Sequence, residues 1–420
     1  MKKRGLIIAI CIGILVLLGL IIFAWPYRGF LPIFGPAPVD LSKVIPEQPV
    51  SSTELEIVRE GINQTGMPLT LPRGFSINLF AKNLEGPRSI RFAPNGVLMV
   101  AEPSAGRISA LPDANKDGVA DGRNNLASGL NRPHDFLFYP NDGYDLFVAE
   151  TDGLSKMRLN VDFTQTSDRK LLTKLPTGGR HTTKSLEFAM AGKSEERILI
   201  SIGSSCDVCR EQDPRRGSIQ SVALDGSDLK PYSVGLRNSV FLEVTPDGQI
   251  WATEMGRDFL GDDLPPDEVN IIEEDKNYGW PTCYGKNIHD TQFDKNTYIR
   301  NPCMAPFETP SHIDLPAHSA PLGLAFVPTN AGWPKEYEGN LLVAYHGSWN
   351  RTKPTGYAVR RFVLDEAGNA VSNEDFISGW LSEQGVLGRP ADLTFAKDGS
   401  LYISDDKTGL IYRITPPSSK

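Results

Sequence analysis

Chemistry could be carried at three places in this sequence: a histidine at 181, an Arg–Asn pair at 237 and 238, and an acidic loop from Glu254 to Asn270. His181 lies in TGGRHTTKSLEF, where two glycines lead into a polar strand start. An imidazole titrates near neutrality and can act there as a general base, although an ordinary surface histidine fits this segment equally well. Arg237 and Asn238, in VGLRNSVF, stand at a strand entrance. A guanidinium offers a rigid fork of donors for carboxylate or carbonyl oxygens. In EMGRDFLGDDLPPDEVN, Asp258, Asp262, Asp263, Asp267 and Glu268 crowd a Gly/Pro loop. Irregular, oxygen-rich loops bind calcium, and solvated acidic turns have the same composition. DANKDGVADGR, Asp113–Arg123, opens like an EF-hand loop, but its twelfth position is Asn124 and no flanking helices are evident. It reads as a hairpin turn. The sequence contains no HExxH, GxSxG, P-loop or post-strand GxGxxG, so zinc protease, serine hydrolase and nucleotide-cofactor chemistry have no support.

The elements that must position these residues repeat. An apolar strand, a turn of Pro, Asn, Asp or Gly, a short apolar run and then small or acidic residues recur. Examples are FAPNGVLMVAE, FYPNDGYDLFVAETD, VTPDGQIWATEMG, YEGNLLVAYHG and FAKDGSLYISDD. With the looser FAMAGKSEERILISIG, the runs begin at Leu98, Leu146, Ile198, Ile250, Leu341 and Leu401, at spacings of 48, 52, 52, 91 and 60 residues. A hairpin recurring at roughly 40–50 residues marks a β-propeller. Asn-Gly and Asp-Gly supply the positive φ that tight hairpins need. The expectation is an all-β, six-bladed propeller over residues 71–420, with a large insertion between neighbouring blades in the long fourth interval. The strand in LPRGFSINLFAKNL is expected to pair with the last blade and close the ring.

Lys2, Lys3 and Arg4 precede an uncharged apolar run from Gly5 to Trp25, long enough to cross a bilayer as a helix. The run exceeds the core of a signal peptide and no small-x-small site follows it, so residues 1–25 read as an uncleaved membrane anchor. The basic flank keeps the N-terminus cytoplasmic and places the rest outside, in a periplasmic or equivalent extracytoplasmic space. Residues 26–70 are Pro-rich and read as a linker. Beyond Cys11 there are four cysteines, Cys206, Cys209, Cys283 and Cys303. In an oxidising compartment an even number reads as two disulfides. Arg210 after the Cys-x-x-Cys excludes haem attachment, which needs His there. The net charge of −8, with no basic patch, excludes nucleic acid as a partner.

GLNRPHDF, GGRH, GLRN, EMGRD…DE, NYGWP, GNLLVAYHGSWNR and GRPADL occur in that order between Leu71 and Pro416. Together they resemble the PQQ-dependent soluble glucose/sorbosone dehydrogenase family, in its sorbosone or pyranose dehydrogenase branch. That resemblance implies a six-bladed propeller with PQQ across one face, bound calcium, and oxidation of a sugar or related alcohol or aldehyde. It implies that His181 is the catalytic base and that Arg237 polarises the accepting carbonyl. It implies that Asn238 and Arg389 contact PQQ. Gly256 and Arg257 would bind, through their carbonyls, the calcium that ligates PQQ, with further calcium at Asp263 and Glu268. The sequence departs from the family in having Arg180 before the histidine and Ala391 where a second PQQ-binding arginine is expected. The family's PQQ-binding lysine has no clean counterpart; Arg351 in HGSWNRTKP is the nearest candidate. His318, in PAHSAPLG, is expected to border the cofactor in an undefined role. With no haem motif present, electrons are expected to leave to a separate acceptor, a membrane quinone or a soluble cytochrome. Two other classes fit a six-bladed propeller: a calcium-dependent hydrolase of the lactonase kind, and a non-catalytic binding module that presents its insertion to a partner protein.

Overall fold

The computed structural model describes residues 60–139, 144–191 and 195–417. Strands dominate: five four-stranded antiparallel sheets follow one another along the chain, and a sixth, of five strands, joins its two ends. Blade 1 comprises Ile90–Phe92, Leu98–Glu102, Arg107–Leu111 and Asn124–Ser128. Blade 2 comprises Asp135–Phe138, Asp145–Ala149, Gly153–Leu159 and Thr166–Lys174. Blade 3 comprises Lys184–Ala191, Glu195–Ile202, Ser218–Val222 and Lys230–Val234. Blade 4 is built from Ser239–Val244, Ile250–Glu254, Asp267–Ile272 and Ile313–Leu315. Blade 5 is built from Pro321–Phe326, Leu341–Tyr345, Ala358–Leu364 and Ala370–Ile377. The first strands touch in ring order, blade 6 against blade 1 included, so the molecule is a closed six-bladed propeller.

Blade 6 takes Pro390–Phe395, Leu401–Asp405 and Leu410–Thr415 from the end of the chain and Ser76–Ala81 from the beginning. The expected closing strand is therefore present, and no blade edge is left at the seam. Ile62–Asn63 adds in parallel outside Ser76–Ala81, and Thr70 bridges Ser378. Residues 61–70, read from sequence as the end of the linker, thus pack on the propeller. Phe75 fixes this segment, its ring 4.9 Å from Trp333 and 5.2 Å from Phe376.

Each recurring apolar run is the second strand of a blade. In blade 1, blade 4, blade 5 and blade 6 all five of its residues are buried, because both faces meet side chains of neighbouring strands and blades. The acidic residue after the run has a local purpose. Glu102 and Glu150 accept backbone N–H groups of Glu85 and Asn131, while Glu254 and Asp405 accept those of Asn238 and Arg389. Each such bond ties the end of a second strand to the chain entering or preceding the blade.

The insertion behind the 91-residue interval is not between blades. It falls inside blade 4, between the third strand Asp267–Ile272 and the fourth, Ile313–Leu315. It carries a small hairpin, Cys283–Tyr284 with Ile288–His289, and the Cys283–Cys303 disulfide. The second disulfide, Cys206–Cys209, lies between the second and third strands of blade 3. Asp113 caps its own loop by accepting the N–H groups of Asp117 and Gly118, as a hairpin turn should. Among the described residues no helix is long and apolar enough to cross a membrane, and the apolar run 5–25 lies outside them.

Candidate active site

Loops entering the first strand of each blade share one face of a propeller with loops joining second to third strands. His181 precedes blade 3, Arg237 and Asn238 precede blade 4, His318 precedes blade 5 and Arg389 precedes blade 6. Between blades 3, 4 and 5 this face opens into a cavity of about 250 Å³. His181, Arg237, Asn238, Gly256, Asp258 and His318 line it, with Arg180, Asn350 and the half-exposed Trp349. A larger opening of about 400 Å³, among Phe92, Phe138 and Phe395 on the opposite face, has Lys397 as the one charged residue in its lining among the described residues. A site for polar chemistry belongs to the first.

His181 Nδ1 is 2.9 Å from Ser204 Oγ, which donates its own proton to the Cys206 carbonyl at 2.6 Å. The hydroxyl has one hydrogen, so Nδ1 must be the donor to it, which leaves the Nε2 lone pair uncommitted. Burial, then Arg237 and Arg180, hold the imidazole down at about 2, so it is neutral at ordinary pH. His318, by contrast, is tied at both nitrogens, Nε2 to the Gly261 carbonyl at 2.8 Å and Nδ1 to the Asn350 amide at 3.1 Å. It bridges two loops and has no free nitrogen for a proton.

Arg237 is 4% exposed. Its Nε donates to the Asp207 carbonyl at 2.9 Å, and Nη2 to the carboxylates of Asp207 at 2.7 Å and Asp258 at 3.0 Å. Nη1 makes one longer bond, 3.3 Å, to the Met255 carbonyl. Arg180 joins Asp258 at 3.0 Å, and its guanidinium lies over the rings of Trp349 and Phe259 at 5.6 and 5.8 Å. Asn238 Nδ2 points at Met255 Sδ, 3.4 Å away.

Behind Gly256 and Arg257 is a second, small cavity of about 20 Å³, faced by Glu254, Glu268 and Asp290. Glu268 accepts from Gly285 N and Asn270 Nδ2 at 2.7 and 2.9 Å. Glu254 Oε2 is buried without a partner. Its counterparts Glu102 and Glu150 are each satisfied by an arginine, at 2.7 and 2.6 Å. An orphaned carboxylate oxygen beside a second buried carboxylate, at a void that holds one small species, suits a divalent cation.

The remaining predicted residues do not meet at the cavity. Arg351 pairs with Asp263 at 2.7 Å, so the proposed cofactor arginine and metal carboxylate hold each other. Arg389 donates to the carbonyls of Gly347 and His346 at 2.9 and 3.3 Å and stands 5.0 Å over the Tyr357 ring. Arg257 pairs through Nη1 with Asp290 at 2.7 Å, and both residues line the small cavity. Asp207, Glu254, Trp349 and Asn350 were not singled out from sequence, although Trp349 and Asn350 belong to the HGSWNR stretch.

Burial raises Asp258 and Asp267 to about 6 and Glu268 to about 7. Inside the ring, where Arg91 pairs with Asp135 and Glu187, it raises Asp392 to about 7 and Glu243 to about 8. A carboxyl raised on folding contributes stability that is complete below its unfolded value, near 4, and is lost as pH rises through the folded value. Lys184, lowered by burial to about 8, and His134, lowered to about 3, act in the opposite sense, as does His181. The carboxyls outnumber them in the upper range. The ligand-free protein is therefore expected to melt at a higher temperature at about pH 7 than at about pH 8.5. Thermal unfolding followed by circular dichroism checks this; a lower midpoint at the lower pH contradicts the burial of this set.

Similarity to known proteins agrees with this architecture. An uncharacterized protein of Borreliella burgdorferi is 29% identical over 376 residues, covering 86% of this chain and 94% of its own length. The pyrroloquinoline quinone-dependent pyranose dehydrogenase of Coprinopsis cinerea is 25% identical over 84% of this chain. The match takes in 55% of that enzyme, so this chain spans about half its length. The solved holo PQQ domain of the same enzyme superposes with a TM-score of 0.70 at 20% identity, covering 84% of this chain and all of that domain. A Trichoderma reesei structure of carbohydrate-active enzyme family AA12 gives 0.71 at 21% identity, over 84% and 98% of the two chains. The family model described as TrAA12-like matches residues 69–417, and with all six blades inside that span, the chain belongs to the TrAA12-like family.

Proposed function

We propose that this protein is a PQQ- and calcium-dependent dehydrogenase that oxidises a sugar or related alcohol or aldehyde. One observation carries the reading: His181 lines the cavity with Arg237 and Asn238, is bonded through Nδ1 to Ser204, and has no hydrogen-bond partner at Nε2 among the described residues. PQQ bound there supplies a two-electron acceptor, and calcium a Lewis acid. The donor set fits an anionic, planar group, with two guanidiniums, Arg180 and Arg237, and two amides, Asn238 and Asn350, around the opening. Glu254 and Glu268, with the carbonyls of Gly256 and Arg257, would hold calcium.

His181 Nε2 takes the substrate hydroxyl proton while Ser204 keeps Nδ1–H in place. Arg237 steadies negative charge that develops beside it, at no cost in reorganisation because four bonds already fix it. Arg389, Arg351 and Asp263 are spent on other partners, so the reading does not lean on them. The four cysteines paired in the structure suit an oxidising compartment, in keeping with a catalytic domain tethered outside the cytoplasm by residues 1–25. Electrons would pass to a separate acceptor, a membrane quinone or a soluble cytochrome.

The test is reconstitution. Protein stripped with a chelator, then given PQQ and calcium, should reduce an artificial electron acceptor with a panel of aldoses, sorbosone and simple alcohols. Omission of either additive should abolish the reaction. Calcium-dependent hydrolysis of lactones without PQQ would favour the hydrolase reading instead.

A further inference from the structure

We propose that Asp207 is the positioning residue of this site and that the Cys206–Cys209 disulfide holds it there, so that the competence of His181 and Arg237 depends on the oxidation state of that bond. The inference deepens the proposed function and rests on that reading of the cavity.

Cys206-Asp207-Val208-Cys209 forms a four-residue loop closed by its own disulfide. Asp207 is the residue in it that reaches the site, and it does so twice on one guanidinium. Its carbonyl accepts from Arg237 Nε at 2.9 Å and its carboxylate from Nη2 at 2.7 Å. The same carboxylate oxygen accepts the backbone N–H of Asp258 at 2.8 Å, which fixes the start of the acidic loop of blade 4. Trp280 Nε1 donates to the Asp207 carbonyl from the other side, at 3.2 Å. The neighbouring carbonyl, that of Cys206, takes the Ser204 proton and so sets the tautomer of His181. Two consecutive residues of one small ring therefore orient both groups proposed for the reaction.

Carbonyl and carboxylate of Asp207 can meet the same guanidinium in one backbone conformation of this turn, and the cross-link removes the others. Reduction breaks the S–S bond, leaves two thiols and converts an added dithiol to its own disulfide. The turn then regains its freedom, and Arg237 and Ser204 lose their common frame. The bond is reachable, since all four residues of the loop are partly exposed, whereas Cys283 and Cys303 are 6% and 1% exposed in the insertion. A reductant acting on folded protein should therefore open the first disulfide and spare the second.

The experiment treats native protein with a dithiol and counts thiols. Two should appear. In the PQQ- and calcium-loaded protein kcat should fall about ten- to hundred-fold, the scale of a small misplacement of reacting groups, with KM for the sugar little changed. Reoxidation should restore it. Asp207→Ala with the disulfide intact should show the same loss. Asp207→Asn, whose amide oxygen still accepts from Arg237 and Asp258, should retain most of the activity, a rescue that loss of packing does not predict. In ligand-free protein, the Arg237 Nε–H resonance should be protected from exchange when oxidised and unprotected when reduced. Unchanged kcat and unchanged Nε–H protection after two thiols have appeared, or an Asp207→Ala protein with native kcat, overturn the inference. Because the exchange measurement needs no cofactor, protection that responds to reduction in a protein that never binds PQQ overturns the cofactor reading and leaves the role of Asp207 standing.

Discussion

Replacing His181 with alanine is expected to lower turnover of the reconstituted protein by about 10²–10⁴-fold, the usual contribution of a positioned base. PQQ affinity should barely move, because the imidazole is not among the groups proposed to grip the cofactor. The choice of His181 is sharper than its sequence context allowed. The other histidine of the cavity, His318, has both nitrogens engaged, and His346 lies between Asp406 and Arg389. The pH dependence follows from the same surroundings. Burial and two guanidiniums hold His181 at about 2 in the ligand-free protein, so its neutral form persists far below the ordinary histidine range. An anion seated against Arg237 offsets part of that field and raises the value. The acid limb of kcat/KM reports the sugar-free protein with PQQ bound, and is therefore expected above the ligand-free value and below about 6.5. A His181→Ala protein that turns over sugar at a near-native rate, with PQQ bound, refutes the assignment.

The second large effect is expected at Arg237. Arg237→Ala removes the cation shared by Asp207 and Asp258, both held largely away from solvent. Breaking a fully buried pair from one side costs about 3–5 kcal/mol of stability; because Asp258 keeps its pair with Arg180 and Asp207 is partly exposed, the loss is expected at or below the low end of that range, about 3 kcal/mol. Loss of one charge-assisted partner from a bound anion costs roughly 2–5 kcal/mol, so the PQQ concentration needed for half-activation should rise about thirty-fold or more. Arg237→Lys should restore part of the stability and little of the affinity, since one ammonium nitrogen cannot stand in all three places from which the guanidinium nitrogens donate. Thermal unfolding and a PQQ titration separate the two consequences. An unchanged titration in a folded Arg237→Lys protein would sink the proposed pose.

The propeller was legible because its second strands are. A strand packed on both faces is apolar over most of its length, and LMV in LMVAE and LLVA in LLVAY announce that environment without any structure. The closing strand was legible for a related reason: a ring needs a partner for its last blade, and SINLFA opens on the polar–apolar alternation of a strand, Ser76, Ile77, Asn78, Leu79. The place of the insertion was not. Spacing gives the length of an extra segment but not which connection it enters, and the fourth strand Ile313–Leu315 is too short to announce itself. At the site, the residues singled out at strand entrances, His181, Arg237 and Asn238, converge on one cavity, because a strand entrance fixes where the side chain stands. Arg351 and Asp263 were assigned to different ligands and turn out to face each other, since the sequence does not show which loops converge. Asp207 was hidden by its neighbours, because Cys-x-x-Cys draws attention to its sulfurs and not to the residue they enclose.

Closing the ring with the first long strand sets a condition on how the protein folds. Ser76 and Thr415 meet across the seam at a separation of 339 residues. The chain must therefore complete one of its longest loop closures before blade 6 is whole, and contacts of such high order form slowly. During synthesis Ser76–Ala81 emerges early and waits unpaired for almost the whole domain, an exposed strand able to pair with another chain. The same adjacency makes the two ends interchangeable in principle. Joining them and opening the chain at a turn between other blades would give a permuted protein with the seam elsewhere and the face that carries His181 intact.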